Sequence, residues 1–458
     1  MSFSNSNMTV FSNLALSDDA KTLSCEVQNM PVGVLNAVRR ATLEYVPSVA
    51  FDYHPTLDSF PECGIKITKN TSPLHNELLG SRLALTPVCV TENQLEDARL
   101  AVDANGQYSN ILFELKKTNM SYDVQIASSG DLRFLGGNET KGDLKISQLF
   151  PACPVTGDHV SLTKLKPNPY GNRDVPGDEV ELTCAARVGV GAEHARWCPV
   201  SACYFTNKID PQAAEAHFQT WMEKQKERMD PDAIADNIDR MRTRFYALEA
   251  KRHFHKDPLT SEPNWFQFHV ESECGLRAHS IVFYAFDTLI QRVRSVRLAI
   301  ETRNTEKVST FVATVNGSLS SRRLGGLLPN TSDAQNSLPQ QSPSSMQTGL
   351  HHLIVKGEGH TLGNLIQCLV FERNFAHDGS LRDSAGWQLQ SIGYEQPHPL
   401  EDCIVFRVKM ADPKASIEAF MIDNLHHVED TLRSFALDWI EFSKLHELGL
   451  RAVDRFVK

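Results

Sequence analysis

Residues 357–366 read GEGHTLGNLI, three glycines interleaved with polar residues and running into an apolar stretch. A glycine-rich turn that opens a helix can hold a phosphate on its free backbone N–H groups. The spacing here is G-x-G-x-x-x-G, so Leu362 stands where a dinucleotide fingerprint needs glycine, and no G-K-[ST] follows. The loop is therefore expected to serve a sharp strand-to-helix turn at Gly357 and Gly359. Thr361 is expected to cap the helix, and Gly363 to let another backbone approach. The other reactive candidates are His351-His352, His426-His427, and Asp378 with Asp383. Adjacent histidines point in different directions on a strand or helix and do not readily share a metal. No G-x-S-x-G and no H-E-x-x-H occurs. Ten cysteines lie scattered without a C-x-x-C pair, the pattern of reduced thiols rather than of a zinc site. No catalytic residue, metal or cofactor is expected.

The 458 residues allow two to four domains. With 41% apolar and 22% charged residues, the composition is that of an ordinary globular protein. The net charge of −10 argues for protein partners, because phosphate neutralisation usually demands a basic excess. The opening MSFSNSNMTVFSNLALS has no basic segment before an apolar core, and no run of about 18 apolar residues occurs. Neither a signal peptide nor a membrane span is expected.

The elements that position these residues fall on either side of 316–348, a stretch dominated by Gly, Ser, Pro, Asn and Gln. Such a composition cannot bury enough apolar surface to order itself. It reads as a tether of about 45 residues with a span of roughly 35–40 Å. Before it, ILFELKK (111–117), MSYDVQI (120–126), EVELTCAARV (179–188) and FQFHVE (266–271) read as strands. Residues 32–46 form a helix stopped by Pro47, and 283–302 a longer helix with an apolar stripe. Asp210-Pro211 and Asp230-Pro231 mark two helix starts, a hairpin over 211–254. After the tether come strand 351–357, helix 361–374, strand 404–410, and a long helix opened by Asp412-Pro413.

Both parts thus contain strand, turn, short helix, further strands, and a long helix whose stripe exceeds the needs of its own core. The fold class is α+β, two such units forming a pseudo-dimer within one chain. The apolar contact between them is assigned to Leu35, Val38, Leu289, Val293, Val296, Leu362, Ile366, Leu369, Phe420, Val428, Leu432 and Phe435.

GEGHTLGNLI with the strand and long helix after it resembles the small alpha-like subunit of multisubunit RNA polymerases, the eleventh of eukaryotic polymerase II. The N-terminal part resembles the larger, third-subunit partner. LNAVRRATLEYVPSVAFD (35–52), NTSPLHNELLGSRLALTPV (70–88), GDEVELTCAARVGVGAEHARWCPVSACYF (177–205) and FHVESECGLRAHSIVFYAFDTLIQRV (268–293) carry that likeness. The resemblance implies a non-catalytic platform that docks the largest and second-largest subunits and small polymerase subunits. DNA is met only through the complex. It implies a dimerisation domain over 1–50 and 264–304, an insert domain over 51–263, a linker over 305–349, and a second dimerisation domain over 350–458. Residue by residue, it puts Asn36, Arg39 and Arg40 on a helix that meets a large subunit. Glu77 and Arg82 fall in E-x-x-x-x-R-L, and Glu193, His194, Arg196 and Trp197 in E-H-A-x-W, both contact stretches. Two departures stand out. The four-cysteine zinc loop of many third-subunit relatives is reduced to Cys89, and the 211–254 hairpin has no counterpart. A fusion of both subunits is similar to what large cytoplasmic DNA viruses encode, which implies virion and host cytoplasm, with the nucleus otherwise. The alternative is a stand-alone scaffold or transcription regulator.

Overall fold

The computed structural model describes residues 10–100, 111–168 apart from 138, 142 and 143, 175–226, 238–314 apart from 259, 347–376, and 387–457 apart from 413. The chain begins with β1 (Phe11–Leu16), β2 (Thr22–Gln28) and α1 (Val32–Glu44). A middle section follows: β3 (Pro47–Phe51), β4 (Ile65–Asn70), α2 (Asn76–Ala84), α3 (Glu92–Leu100), β5 (Ile111–Thr118), β6 (Gln125–Ser128) and β7 (Arg133–Phe134). It continues through β8 (Thr140–Lys141), β9 (Leu144–Lys145), α4 (Ile146–Leu149), β10 (Ser161–Leu165) and β11 (Glu179–Val190). Next come β12 (Val200–Asn207), α5 (Pro211–Lys226), α6 (Ile238–Leu248), β13 (Trp265–Ser272) and α7 (Ala278–Glu301). The last section holds β14 (Val308–Thr314), β15 (Gln347–Lys356), α8 (His360–Asn374), β16 (Leu389–Glu395), β17 (Cys403–Met410), α9 (Ile417–Phe442) and α10 (Arg451–Val457).

Two antiparallel four-stranded sheets have the same order. One runs β1-β2-β13-β12 and the other β14-β15-β17-β16. In each, a short helix follows the second strand and a long helix follows the fourth in sequence. Period-two alternation builds them: Phe266, Phe268 and Val270 of β13 are buried, while Trp265, Gln267 and His269 are half-exposed. A third sheet, β3-β11-β5-β7 with β4 also on β11, lies between them in sequence. One apolar cluster runs continuously through all three sheets and the two long helices. A separate small cluster holds α5 against α6.

The structure corrects several expectations. The stretch 305–349 is no linker between units, because its two ends are strands. β14 pairs with β15 from Val308↔Val355 to Thr314↔Gln347, and most of the Gly/Ser-rich stretch, 316–346, lies outside the described residues. The units are joined by residues 302–307 alone. β12, inside the expected insert at 51–263, hydrogen-bonds β13 in the first sheet. The strand expected over 120–126 begins only at Gln125. Asn119 Oδ1 accepts from Ser121 N and its amide donates to Asp123 O, a side-chain turn that competes with the strand. The long helix begins at Ile417 rather than after Asp412-Pro413, capped by Ser416 Oγ, which accepts from Ala419 N at 3.2 Å. Asp412 instead turns the chain by accepting from Lys414 N. α7 begins at Ala278, five residues before the expected 283. Asp210 caps α5 through Gln212 N and Ala213 N, whereas Asp230-Pro231 lies outside the described residues.

Candidate subunit interfaces

The stripes expected to meet are buried together. Leu35, Val38, Leu289, Val293, Val296, Leu362, Ile366, Leu369, Phe420, Val428, Leu432 and Phe435 all belong to one cluster, none more than 3% exposed. α7 packs along α9, and α1 packs on both α7 and α8. Each fully buried Leu or Phe contributes about 1.5–3 kcal/mol. Trp439 of α9 adds a specific point. Its Nε1 donates to His279 O of α7 at 2.9 Å, and its ring meets Phe11 of β1 edge-on at 5.0 Å.

Charged pairs frame this contact. Arg297 of α7 donates to Glu429 of α9 at 2.6 Å, with Arg294 at 3.4 Å from the same carboxylate. Arg292 donates to Glu358 Oε2 at 2.7 Å and to Gly357 O at 3.2 Å while lying 4.0 Å over the Tyr45 ring. Arg40 Nε donates to Thr361 Oγ1 at 2.7 Å, and its guanidinium also pairs with Glu44 at 2.8 Å. GEGHT is therefore a receptor for two guanidinium groups of the first unit. A phosphate would face the buried Glu358 carboxylate, which is only 3% exposed. Burial pushes the Glu358 carboxyl up, and Arg292 and then Lys307 pull it back.

The glycines divide the work differently from expectation. Gly357 has φ +73°, which suits glycine, but Gly359 is the extended N-cap of α8. Thr361 is the second helical residue and does not cap. At Gly363 a Cβ would come 2.5 Å from the Tyr394 ring, so an aromatic side chain, not a backbone, makes the close approach.

The residues expected to face other subunits separate into two groups. Some are engaged within the chain. Arg39 Nε donates to Asn36 Oδ1 at 2.9 Å. Arg40 is turned to the second unit as above rather than outward. Trp197, expected as an anchor for a partner, is 2% exposed. Its Nε1 donates to Arg187 O, Arg187 and Arg196 lie over its ring at 4.3 and 5.3 Å, and Gly189 makes room beneath it. Asp52 ties this corner to Arg187 at 2.8 Å, His54 at 3.2 Å and Arg196 at 3.4 Å. Burial alone would raise the Asp52 carboxyl; Arg187 outweighs it and holds it below its usual value. The second group reaches the surface. Glu193, whose carboxylate also meets Arg187 at 3.1 Å, and His194 are exposed. Glu77 and Arg82 are exposed on α2 beside Leu78 and Leu85, with Arg82 also donating to Leu162 O at 3.1 Å.

One contact was not foreseen. α10 docks on α3: Arg451 pairs with Asp97 at 2.8 Å and Arg455 with Glu96, while Phe456 meets Phe283 of α7 edge-on at 5.4 Å. The signal was present as two arginines four residues apart on one helix and two adjacent acids on the other.

Among the described residues no group of three or more His, Cys, Asp or Glu could hold a metal ion, and no helix is long and apolar enough to cross a membrane. His351 and His352 are buried in β15, their imidazoles held below the usual value by burial. Asp378 and Asp383 lie outside the described residues.

No protein-family model matches the chain. Subunit Rpo3 of a DNA-directed RNA polymerase from Methanobrevibacter smithii is 27% identical over 180 residues, 39% of this chain and 52% of that protein. The chain thus spans about half of that relative's length. Subunit 3 of RNA polymerases II, IV and V from Arabidopsis thaliana is 24% identical over 311 residues, 60% of this chain and 87% of its own. Subunit RPAC1 of RNA polymerases I and III from Saccharomyces cerevisiae is 26% identical over 293 residues, 58% of this chain and 80% of its own. These relatives are subunits of DNA-directed RNA polymerases, and the chain is similar to them at low identity.

Proposed function

We propose that the chain is a non-catalytic assembly platform of a DNA-directed RNA polymerase, in which two alpha-like halves pair within one polypeptide and dock the two large catalytic subunits. The observation that carries this reading is the duplicated arrangement: two sheets of identical strand order, each with a short and a long helix, whose long helices bury one another. The relatives supply the class of assembly, and they match through the third-subunit kind. The first half is then β1, β2, α1, β12, β13 and α7, and the eleventh-subunit-like half is β14 to α9. The middle section β3–β11 and the α5–α6 hairpin are insertions in the first half. Glu77, Arg82, Glu193 and His194, which are exposed, are the residues we assign to contacts with the large or small polymerase subunits. Such a fused pair fits a viral polymerase acting in the host cytoplasm.

Co-expression of the tagged chain with the two large subunits from the same source tests the reading. A stable complex is expected. Glu77→Arg combined with Arg82→Glu should lower the captured large subunit at least about tenfold, the effect of about 1.4 kcal/mol, while the loss of the Arg82–Leu162 hydrogen bond costs the fold only about 0.5–1.5 kcal/mol. Failure of the folded wild-type chain to retain either large subunit would overturn the platform reading.

A further inference from the structure

The α5–α6 hairpin leaves the first sheet after β12 and returns before β13, closed at its base by a bridge between Ile209 and Phe254. It has its own core, in which Phe245 is fully buried against Phe218 at 5.2 Å. Arg242 belongs to that fold. It pairs with Glu215 at 2.5 Å and lies 5.2 Å over the Phe218 ring, and Tyr246 donates to the same carboxylate at 2.8 Å. Arg240, Arg244 and Lys251 do not. All three are exposed and make no hydrogen bond or ion pair to any described residue.

Their placement is regular. Arg240 and Arg244 are one turn apart on α6, beside the stripe that buries Met241 and Phe245. Lys251 lies in the 3-10 turn Ala250–Arg252 that prolongs the helix. The row is about 16 Å long at 1.5 Å per residue. Like charges one turn apart repel by about 0.2–0.5 kcal/mol, and no described residue of the hairpin is paired with them. Five arginines elsewhere, Arg292, Arg297, Arg373, Arg451 and Arg455, are each paired with a carboxylate. Residues 238–256 hold six basic and two acidic side chains in a chain whose net charge is −10. The acidic whole conceals a basic face.

We propose that this face of α6 is a sequence-independent contact for the phosphate backbone of a nucleic acid. A protein partner would want an aromatic or aliphatic anchor at the centre of the patch. Here Thr243 and Ala247 lie between the cations, and Leu248 stands at the margin. A phosphate backbone needs only spaced positive charge, which neutralises phosphates and releases their condensed counterions. The proposal goes beyond the platform reading and does not depend on it, since the isolated chain should show the binding.

Fluorescence anisotropy of the full chain with a labelled DNA duplex provides the test. Three phosphate contacts give a log–log salt slope of about −2.7, an affinity loss of about 40-fold between about 50 and 200 mM salt. The triple variant Arg240→Glu, Arg244→Glu, Lys251→Glu should weaken binding at low salt at least about tenfold and flatten that slope. A control with the same net charge, Lys66→Glu, Lys145→Glu, Lys164→Glu, changes exposed lysines of the middle section and should bind nearly as the wild type. Absence of salt-dependent binding, equal loss in both variants, or loss of large-subunit capture with DNA affinity unchanged would each overturn the proposal.

Discussion

The two four-stranded units share their strand order but differ in where the chain interrupts them. The first is opened between α1 and β12 by the β3–β11 section, and between β12 and β13 by the α5–α6 hairpin. The second is opened between β14 and β15, and its β16–β17 connection is only residues 396–402. The helices that meet across the middle carry no insertion in either unit. Every exposed residue assigned to other subunits, and the basic row on α6, falls in the first unit's interruptions.

The largest break in this comparison is expected at Trp439. It is fully buried, touches Phe11 of the first unit and is tied to His279 O. Trp439→Ala should cost about 3–5 kcal/mol in urea unfolding. Because the cluster is shared, the loss should appear as one shifted transition in far-UV circular dichroism. Two transitions, only one of them shifted, would mean that each unit closes its own core.

The apolar stripes follow helix periodicity in the sequence, and each residue assigned to the shared contact is buried. β14 was not read, although VSTFVAT is rich in β-branched residues, because the Gly/Ser-rich composition beside it dominates any window that includes both. Pro413 looked like a first helical residue, yet Ser416 was the stronger cap. The resemblance put Arg40 on a helix that meets a large subunit, and a helix wheel drawn for one unit cannot show the Thr361 hydroxyl brought by the other. Trp197 had the residue type of an interface anchor, but Gly189 opened a slot for it inside the chain. Of these, only Arg40 has its partner far along the chain.

Arg292 sharpens the comparison at the next level, since it carries a charge from the first unit into the turn of the second. Arg292→Ala leaves the buried Glu358 carboxylate without its nearest cation. The cost should be about 2–3 kcal/mol at pH 7.5, below the range of about 3–5 for fully enclosed pairs, because the Arg292 side chain is 28% exposed. The pH dependence has a definite sign. Burial raises the Glu358 carboxyl above its usual value in the fold, so the folded state holds that proton more tightly than the unfolded chain does. Its contribution is full below pH about 4.5 and is lost as pH rises through the folded value. The penalty of Arg292→Ala should therefore shrink on acidification, and Arg292→Ala with Glu358→Gln should recover most of it at pH 7.5. A penalty independent of pH, measured by urea midpoints at pH 5 and 7.5, would assign the effect to the stacking on Tyr45 instead.

The smallest effect compares one glycine from each short helix. At Gly33 of α1 a Cβ would stand 3.0 Å from Cys368 Sγ of α8, a contact between the units. At Gly363 of α8 it would stand 2.5 Å from the Tyr394 ring, a contact within the second unit. Alanine gains up to about 1 kcal/mol of helix propensity at either site. A shift of a few tenths of an ångström relieves the Gly33 contact, so Gly33→Ala should be within about 0.5 kcal/mol of wild type. Tyr394 is less free, because its amide is held by Gln367 Oε1 at 3.0 Å and its hydroxyl lies 3.3 Å from His360 Nδ1. Gly363→Ala should cost about 1–2 kcal/mol net. The reverse order in urea midpoints would mean that the crossing of α1 and α8 is the tighter joint, and that the second unit's own sheet yields first.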